Sequence, residues 1–427
     1  MVSASWSRPA ASLAALIAAL ALAAPVAAQQ AAAPAAPGAA PEAAPQGPAP
    51  VRVISLGGLT AAAAGVAADL MAARELAALE VNAGGGLADG APLALEPVDV
   101  GCAGDEADAA GSVAAQSYEA AAAVAFLGPV CSDAALSAAE AAIALGAPLI
   151  SDGATTPALS ALEDGDLVFR TAAVDTHAAE ALVELAQRRR YASVAVAHGD
   201  DAWGQGLAEA FAGAARAAGI EVRAMQGFSD GDDDYTDDMR ALAGIGAADA
   251  LALFAYAGGG GEAALKAALR EGAWGAVIGG DGLLDDAVAR SVGTLNLTRV
   301  TLVAPAPDRG LAAWSAFAEA ARAQGLDPAA PLAAQGYDAA MVLALALVRS
   351  GGEGGAALAA AIREVTAPGA PQVLPGDWAR AKRLAAQGPV RYMGASGPLG
   401  FDAAGDARPG FAAWRAHAGS WRPGPLR

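Results

Sequence analysis

Small hydroxylated residues recur where apolar runs of this chain end, and they are the first candidates for chemistry. Ala123-Val124-Ala125-Phe126-Leu127 breaks into Gly128-Pro129-Val130-Cys131-Ser132-Asp133, and Pro148-Leu149-Ile150 breaks into Ser151-Asp152-Gly153-Ala154-Thr155-Thr156-Pro157. Short apolar runs bounded by glycine and proline read as buried strands that end in loops. Two such strands, parallel and adjacent, would place Ser132, Ala154 and Thr155 at one end of a sheet, where open α/β sheets bind ligands. Hydroxyls and the N–H groups that start a helix suit a carboxylate or another small anion. The competing reading is that Ser132 and Thr155 cap helices.

A second group stands beyond later apolar runs. Trp203, in Ala202-Trp203-Gly204-Gln205-Gly206, opens a helical stretch soon after Ser193–Ala197; Tyr256 follows Leu251–Phe254; Asp281 follows Val277-Ile278-Gly279-Gly280. Taken singly, these are a packing anchor, a core residue and a helix cap. Taken together at the carboxyl ends of later strands, opposite Ser132 and Thr155, they would make a cleft site.

Other chemistries lack their residues. Leu56-Gly57-Gly58-Leu59-Thr60 after the first apolar run is neither G-x-G-x-x-G nor a phosphate loop, and no G-x-S-x-G is present. His177, His198 and His417 have no obvious nucleophile beside them and no ligand spacing to a cysteine. The acidic run Asp230, Asp232, Asp233, Asp234, Asp237 and Asp238 lacks the glutamate that a calcium loop requires and reads as a solvated turn. The expectation is therefore a binding protein, with no metal, no cofactor and no catalytic residue.

The elements that must position these residues alternate along the chain. Strand-like runs at Val51–Leu56, Leu93–Val98, Ala123–Leu127 and Pro148–Ile150 form one set, with a helical pattern over Val66–Val81 and another over Ala134–Leu145. Leu167–Thr171 reads as a strand leaving that set. A second set follows, with strands at Ser193–Ala197, Ile220–Met225, Leu251–Phe254, Val277–Gly280 and Val300–Ala304 between helical stretches. Three helices, Leu311–Ala323, Ala334–Val348 and Ala356–Val365, precede a tail of short strands. Strands separated by helices predict an α/β fold with two doubly wound parallel-sheet lobes.

At the start, Arg8 precedes the apolar run Leu13–Leu20, and Val26-Ala27-Ala28 offers small residues for cleavage, so residues 1–28 read as a secretory signal. Residues 29–50, nearly all Ala, Pro, Gln and Gly, read as a disordered tether. The roughly 375 residues from Val51 onward suit about two domains. The 45 acidic residues outnumber the 26 basic ones, a net charge of -19, which disfavours nucleic acid and anionic lipid as partners. Two cysteines, Cys102 and Cys131, in an exported chain favour a disulfide over free thiols.

The chain resembles the leucine/isoleucine/valine-binding protein family, the periplasmic receptors of branched-chain amino acid ABC transporters. Val130-Cys131-Ser132, Gly153-Ala154-Thr155-Thr156-Pro157, Ala202-Trp203-Gly204-Gln205-Gly206, Gly279-Gly280-Asp281-Gly282 and Asn82-Ala83-Gly84-Gly85-Gly86 carry the resemblance from about Val51 to Val303, and it returns at Gly397–Asp402. It implies a type I periplasmic binding fold, with residues 51–171 and 305–401 in lobe 1, residues 172–304 and 402–427 in lobe 2, and a hinge of crossing strands near 171–174, 301–306 and 402–410. It also implies that Cys102 and Cys131 pair, that Ser132 and Thr155 hold a ligand carboxylate, and that the Ala154 backbone contacts the head group. Trp203 and Tyr256 would line the second-lobe wall, and Asp281 would pair an ammonium. The partner implied is an inner-membrane permease, fed by a monomeric periplasmic receptor; a sensor and an exported enzyme are the rival classes. Asp281 is a methylene shorter than the glutamate usual there, and Trp203 replaces a frequent tyrosine. Ala61–Ala64 replaces a loop that often carries larger side chains, and residues 368–386 read as an addition.

Overall fold

Runs of Val, Ile, Leu and Ala flanked by turn formers become the strands of two sheets. The computed structural model describes residues 47–59, 63–102, 104–229, 231–408 and 410–426. The expected signal, most of the tether, Ala61, Ala62 and Asp230 lie outside them. The strands are β1 (Val51–Gly57), β2 (Leu93–Asp99), β3 (Phe126–Leu127), β4 (Leu149–Ser151) and β5 (Val168–Ala173), then β6 (Ser193–Gly199), β7 (Glu221–Phe228), β8 (Ala250–Phe254), β9 (Ala276–Gly279) and β10 (Val300–Pro305). Short β11 (Gln372–Val373), β12 (Arg391–Tyr392) and β13 (Asp406–Ala407) precede the longer β14 (Phe411–His417) and β15 (Ser420–Gly424).

Among the described residues the first large sheet runs β13-β5-β4-β3-β1-β2 and the second β15-β14-β10-β9-β8-β6-β7. The first is parallel throughout. In the second, β6 to β10 are parallel and the hairpin β14–β15 is antiparallel. The protein is thus α/β with two parallel-sheet lobes. No described helix is long and apolar enough to cross a membrane.

Two expectations about the crossings change. Val168–Ala173 does not leave the first sheet, because it pairs with β4 on one side and β13 on the other. The lobe boundary set at 402 moves too: β13 pairs with β5, so the chain stays on lobe 1 through Ala407 and crosses between Ala407 and Phe411. The other crossings fall between Ala173 and the helix Asp175–Arg188, and between Pro305 and the helix Ala312–Ala323.

The helix Gly104–Ala121 has no counterpart among the expected elements. Its buried face is Ala107, Ala110, Gly111 and Ala114, too small to give a strong apolar stripe. Small residues let it lie close to the helix Ser132–Leu145; the Gly111 N–H donates to Ser137 Oγ at 3.0 Å. By contrast, Ala333–Arg349 is buried over nearly its whole surface and forms the axis of the lobe 1 core. Residues 368–386 contribute β11 and the helix Trp378–Gln387, which is pinned to lobe 1 by the Trp378 Nε1 bond to Gly86 O at 3.0 Å.

Three buried carboxylates hold the parts that carry the site. Asp152, just past β4, accepts from Arg74 Nε and Nη2 at 2.6 Å each, and Arg74 Nη1 also donates to Ser55 Oγ at 3.0 Å and Leu56 O at 2.8 Å. One guanidinium on the helix Ala64–Ala83 thereby ties together the carboxyl ends of β1 and β4, with a longer 3.4 Å reach to Leu127 O of β3. Gly128, at φ +82°, passes so close that a Cβ would strike that guanidinium. Asp406 receives Arg170 Nε at 2.7 Å, and Arg170 Nη1 donates to Thr156 O at 2.7 Å, joining the third crossing to the loop after β4. Asp338 accepts from Tyr392 Oη, the Ala395 and Ser396 N–H groups and Ser396 Oγ, which fixes the segment before the third crossing.

Removing one partner of a buried pair strands the other charge, at a cost of about 3–5 kcal/mol. Arg74→Met is expected to lower the unfolding free energy by that amount in urea titrations. Arg74→Met with Asp152→Leu should recover much of the loss. A single variant within about 1 kcal/mol of wild type would show that the pair does not hold the strand ends.

Candidate functional site

The expected residues converge on the cleft between the lobes. Ser132 is the first residue of the helix Ser132–Leu145 and Thr155 sits in the loop after β4; both are at least 96% buried, and neither hydroxyl has a hydrogen-bond partner. Neither acts as a helix cap. The cap of the short helix Pro157–Ser160 is Thr156, whose Oγ1 accepts from the Ala158 N–H at 3.3 Å. The disulfide Cys102–Cys131, with Cα atoms 5.1 Å apart, ties the loop after β2 to the residue before Ser132. Ala154 is fully buried, and its N–H is turned to Ser151 Oγ at 3.2 Å.

Lobe 2 supplies the facing wall. Trp203 and Tyr256 lie ring to ring, with centroids 4.7 Å apart. Trp203 also rests on the strip around Asp281: a Cβ on Gly282 would come within 2.5 Å of its ring, so glycine there makes room for the indole. Asp201 caps the Trp203 helix, its Oδ1 accepting from the Trp203 and Gly204 N–H groups at 3.0 and 2.9 Å. Asp133 of lobe 1 reaches across, its Oδ2 accepting from the Ala202 N–H at 3.3 Å. Tyr256 crosses in the other direction, its hydroxyl accepting from the Ser132 N–H. The lobes are therefore in contact, and the cavity between them is only about 40 Å³, space for a few waters at most.

Trp203, Tyr256, Asp281 and Asp285 line that cavity from lobe 2; Ala63, Val66, Val130, Gly153 and Leu332 line it from lobe 1, and the lining includes no Lys, Arg or His. Ser132, Ala154 and Thr155 do not reach its surface. The Tyr256 hydroxyl holds the first N–H of the Ser132 helix, and Ser151 holds the Ala154 N–H; both are donors that a carboxylate would use. Asp281 does not cap the helix that follows. That role belongs to Asp285, whose Oδ1 accepts from the Ala287 N–H at 2.6 Å. Burial pushes the Asp281 carboxyl up to about 6, against the pull of its own and the Gly282 N–H groups.

Sequence reasoning missed Asp175. It begins the helix that follows the first crossing; its N–H donates to Thr155 O at 2.9 Å, its side chain is 1% exposed, and its Oδ2 has no partner. Burial first, and then the charge of Asp281, push its carboxyl well above the usual range, while the nearby Thr155 hydroxyl, Arg170 and the Trp203 indole pull the other way. An acidic residue at the start of a helical stretch reads from sequence as an N-cap, which hides Asp175. The available signal was its position between the two lobes, where every crossing passes beside the cleft. The site thus offers two hydroxyls and a helix start on one side, and two acidic groups with two aromatic faces around them.

Residues 69–416 match the model of the receptor family ligand binding region. The chain belongs to that family. Its fold is the type I periplasmic binding fold, shared with a leucine binding protein from Thermotoga maritima (20% identity, 88% of this chain and 97% of that one, TM-score 0.73). It is similar also to a branched-chain amino acid transporter substrate binding protein from Streptococcus pneumoniae in complex with isoleucine (19% identity, 88% and 100%, TM-score 0.71). A solute binding protein of an R. palustris ABC transporter, in complex with benzoate, aligns at 18% identity over 88% and 95%, with TM-score 0.69. No curated protein matches the chain.

The raised carboxyl of Asp281 has a consequence for stability. The folded protein keeps a proton that the unfolded chain, with an ordinary value of 3.8, has already lost. Without ligand, Asp281 therefore costs stability as pH rises from about 4 to about 6, by about 1–3 kcal/mol in total. Thermal or urea unfolding across that window should show a shallower fall for Asp281→Asn than for wild type; parallel curves would contradict the assignment.

Proposed function

We propose that this protein is an exported solute receptor that closes around a small α-amino acid and presents it to a membrane permease. The observation that carries the reading is the set of buried, unpartnered polar atoms at one place, Ser132 Oγ, Thr155 Oγ1 and Asp175 Oδ2. Buried polar groups are ordinarily paired, and a cluster of unpaired ones in a cleft calls for a ligand that pairs them.

The two sides of the site ask for opposite charges. A ligand carboxylate displaces the Tyr256 hydroxyl from the start of the Ser132 helix and takes the hydroxyls of Ser132 and Thr155. Its ammonium, stripped of water, lies between Asp281 and Asp175 against the rings of Trp203 and Tyr256. The positive charge draws both carboxyls back to the ionised form. Docking on lobe 1 followed by closure of lobe 2 about the three crossings adds the lobe 2 contacts only in the closed form, which is what drives closure. A benzoate-type acid would fit the hydroxyls and the rings but would leave two acidic groups buried against it.

Calorimetric titration of an α-amino acid and of its deaminated counterpart, on wild type and Asp281→Asn, tests the reading. Wild type should prefer the amino acid. The substitution should weaken that binding about a hundredfold or more, the size expected for breaking a buried charged pair, and should spare the deaminated acid. Wild type that prefers the deaminated acid, with no effect of the substitution, would overturn the amino-acid assignment.

A further inference from the structure

A second cavity lies at the hinge. It measures about 10 Å³, room for one water-sized or monoatomic occupant. It forms where the second crossing, with Pro305 and Pro307, meets the start of the helix Ala333–Arg349 and the strand β14. Gln335 lines it from lobe 1, Trp414 from lobe 2 and Arg309 from the crossing. Gln335 is 1% exposed and Trp414 3%, and neither Gln335 Nε2 nor Trp414 Nε1 has a hydrogen-bond partner. We propose that this cavity is a site for a small inorganic anion of chloride size, held by donors from both lobes.

The groups that meet here give hydrogen bonds. An indole N–H can only donate, and so can an amide nitrogen; two buried donors without partners at one cavity call for an acceptor. The helix start adds to them. Ala334 and Gln335, which line the cavity, stand in the first turn of this 17-residue helix. N–H groups of a first turn have no partner within the helix, and the helix dipole favours negative charge beside them. The cap position holds Leu332, at φ +62°, whose side chain has no oxygen to offer, and no side chain caps this helix. Leu332 also lines the cleft cavity, so the two cavities are separated by little more than this residue.

The charge around the cavity agrees. Among the described residues its lining includes no Asp or Glu. Burial lowers the Arg309 guanidinium from its ordinary value, and the like charges of Arg422 and Arg322 lower it further, against the pull of Asp327. A water molecule can accept from Trp414 and Gln335 but brings no charge to offset these guanidiniums. A phosphate or a carboxylic acid is too large for the space. The site makes no use of Ser132, Thr155 or Asp281, so its test stands apart from the identity of the ligand in the cleft.

Bromide reports on such a site, because it replaces chloride and scatters X-rays anomalously. Crystals of the protein grown in bromide should show an anomalous peak within hydrogen-bonding reach of Trp414 Nε1 and Gln335 Nε2. In solution, chloride titrated against gluconate at constant ionic strength should raise the unfolding midpoint along a saturating curve, by about 2 °C at tenfold excess over Kd. The rise should be lost in Trp414→Phe and in Gln335→Leu, each of which removes one donor and keeps an apolar body. A water in place of the anomalous peak, or a chloride-dependent rise that both variants retain, would overturn the inference.

Discussion

The ion pair between Arg74 and Asp152 is the interaction on which the binding face of lobe 1 depends. A guanidinium buried to 1% exposure has to be paired in full, and Arg74 meets that demand by bonding to Asp152, Ser55 and the carbonyls at the ends of neighbouring strands. Because these partners belong to separate strands, the pair sets where each strand stops and where its loop begins. Residues 152–155 leave β4 from that anchor, and Gly128 must pass beside it to reach Ser132. The hydroxyls that would receive a ligand are therefore placed by a charge that itself never touches the ligand.

A second buried arginine extends the same logic to the hinge. Arg170 is held by Asp406 and reaches Thr156 O, so the strand that leads into the first crossing, the strand that precedes the third and the loop after β4 are tied together. Asp175, the first residue beyond that body, is placed where the lobes meet. Its burial beside Asp281 concentrates acidic groups in a space with no lining cation. Burial holds both carboxyls above their usual range, and the Tyr256 hydroxyl stands at the start of the Ser132 helix. On the proposed reading, a ligand with one carboxylate and one ammonium would reverse both at once.

Much of this was legible in the sequence, for identifiable reasons. Ser132, Thr155, Trp203, Tyr256 and Asp281 stand where an apolar run meets turn residues, and parallel sheets bring such ends to one face, so the spacing alone brings them near one another. The pairing of Cys102 with Cys131 followed from the count and from the resemblance. The helix Gly104–Ala121 was not legible, because alanine and glycine make a helix face that buries well yet carries little hydrophobic contrast. The crossing after Ala407 was misplaced because β13 is two residues long and is held by Arg170 and Asp406, a pairing across more than two hundred positions that no local pattern reveals. The place of Asp175 between the lobes likewise arises only once the chain is folded.

The most direct test of this account is the identity of whatever the protein carries from the cell. Freshly purified protein, denatured without prior dialysis, releases its ligand for mass spectrometry against authentic standards. Two unpartnered hydroxyls on one side and the carboxyls of Asp175 and Asp281 on the other predict a free α-amino acid, recovered chemically unchanged. Release of a benzoate-type or other acid without an amino group would contradict the central claim, because nothing in such a molecule pairs Asp175 and Asp281.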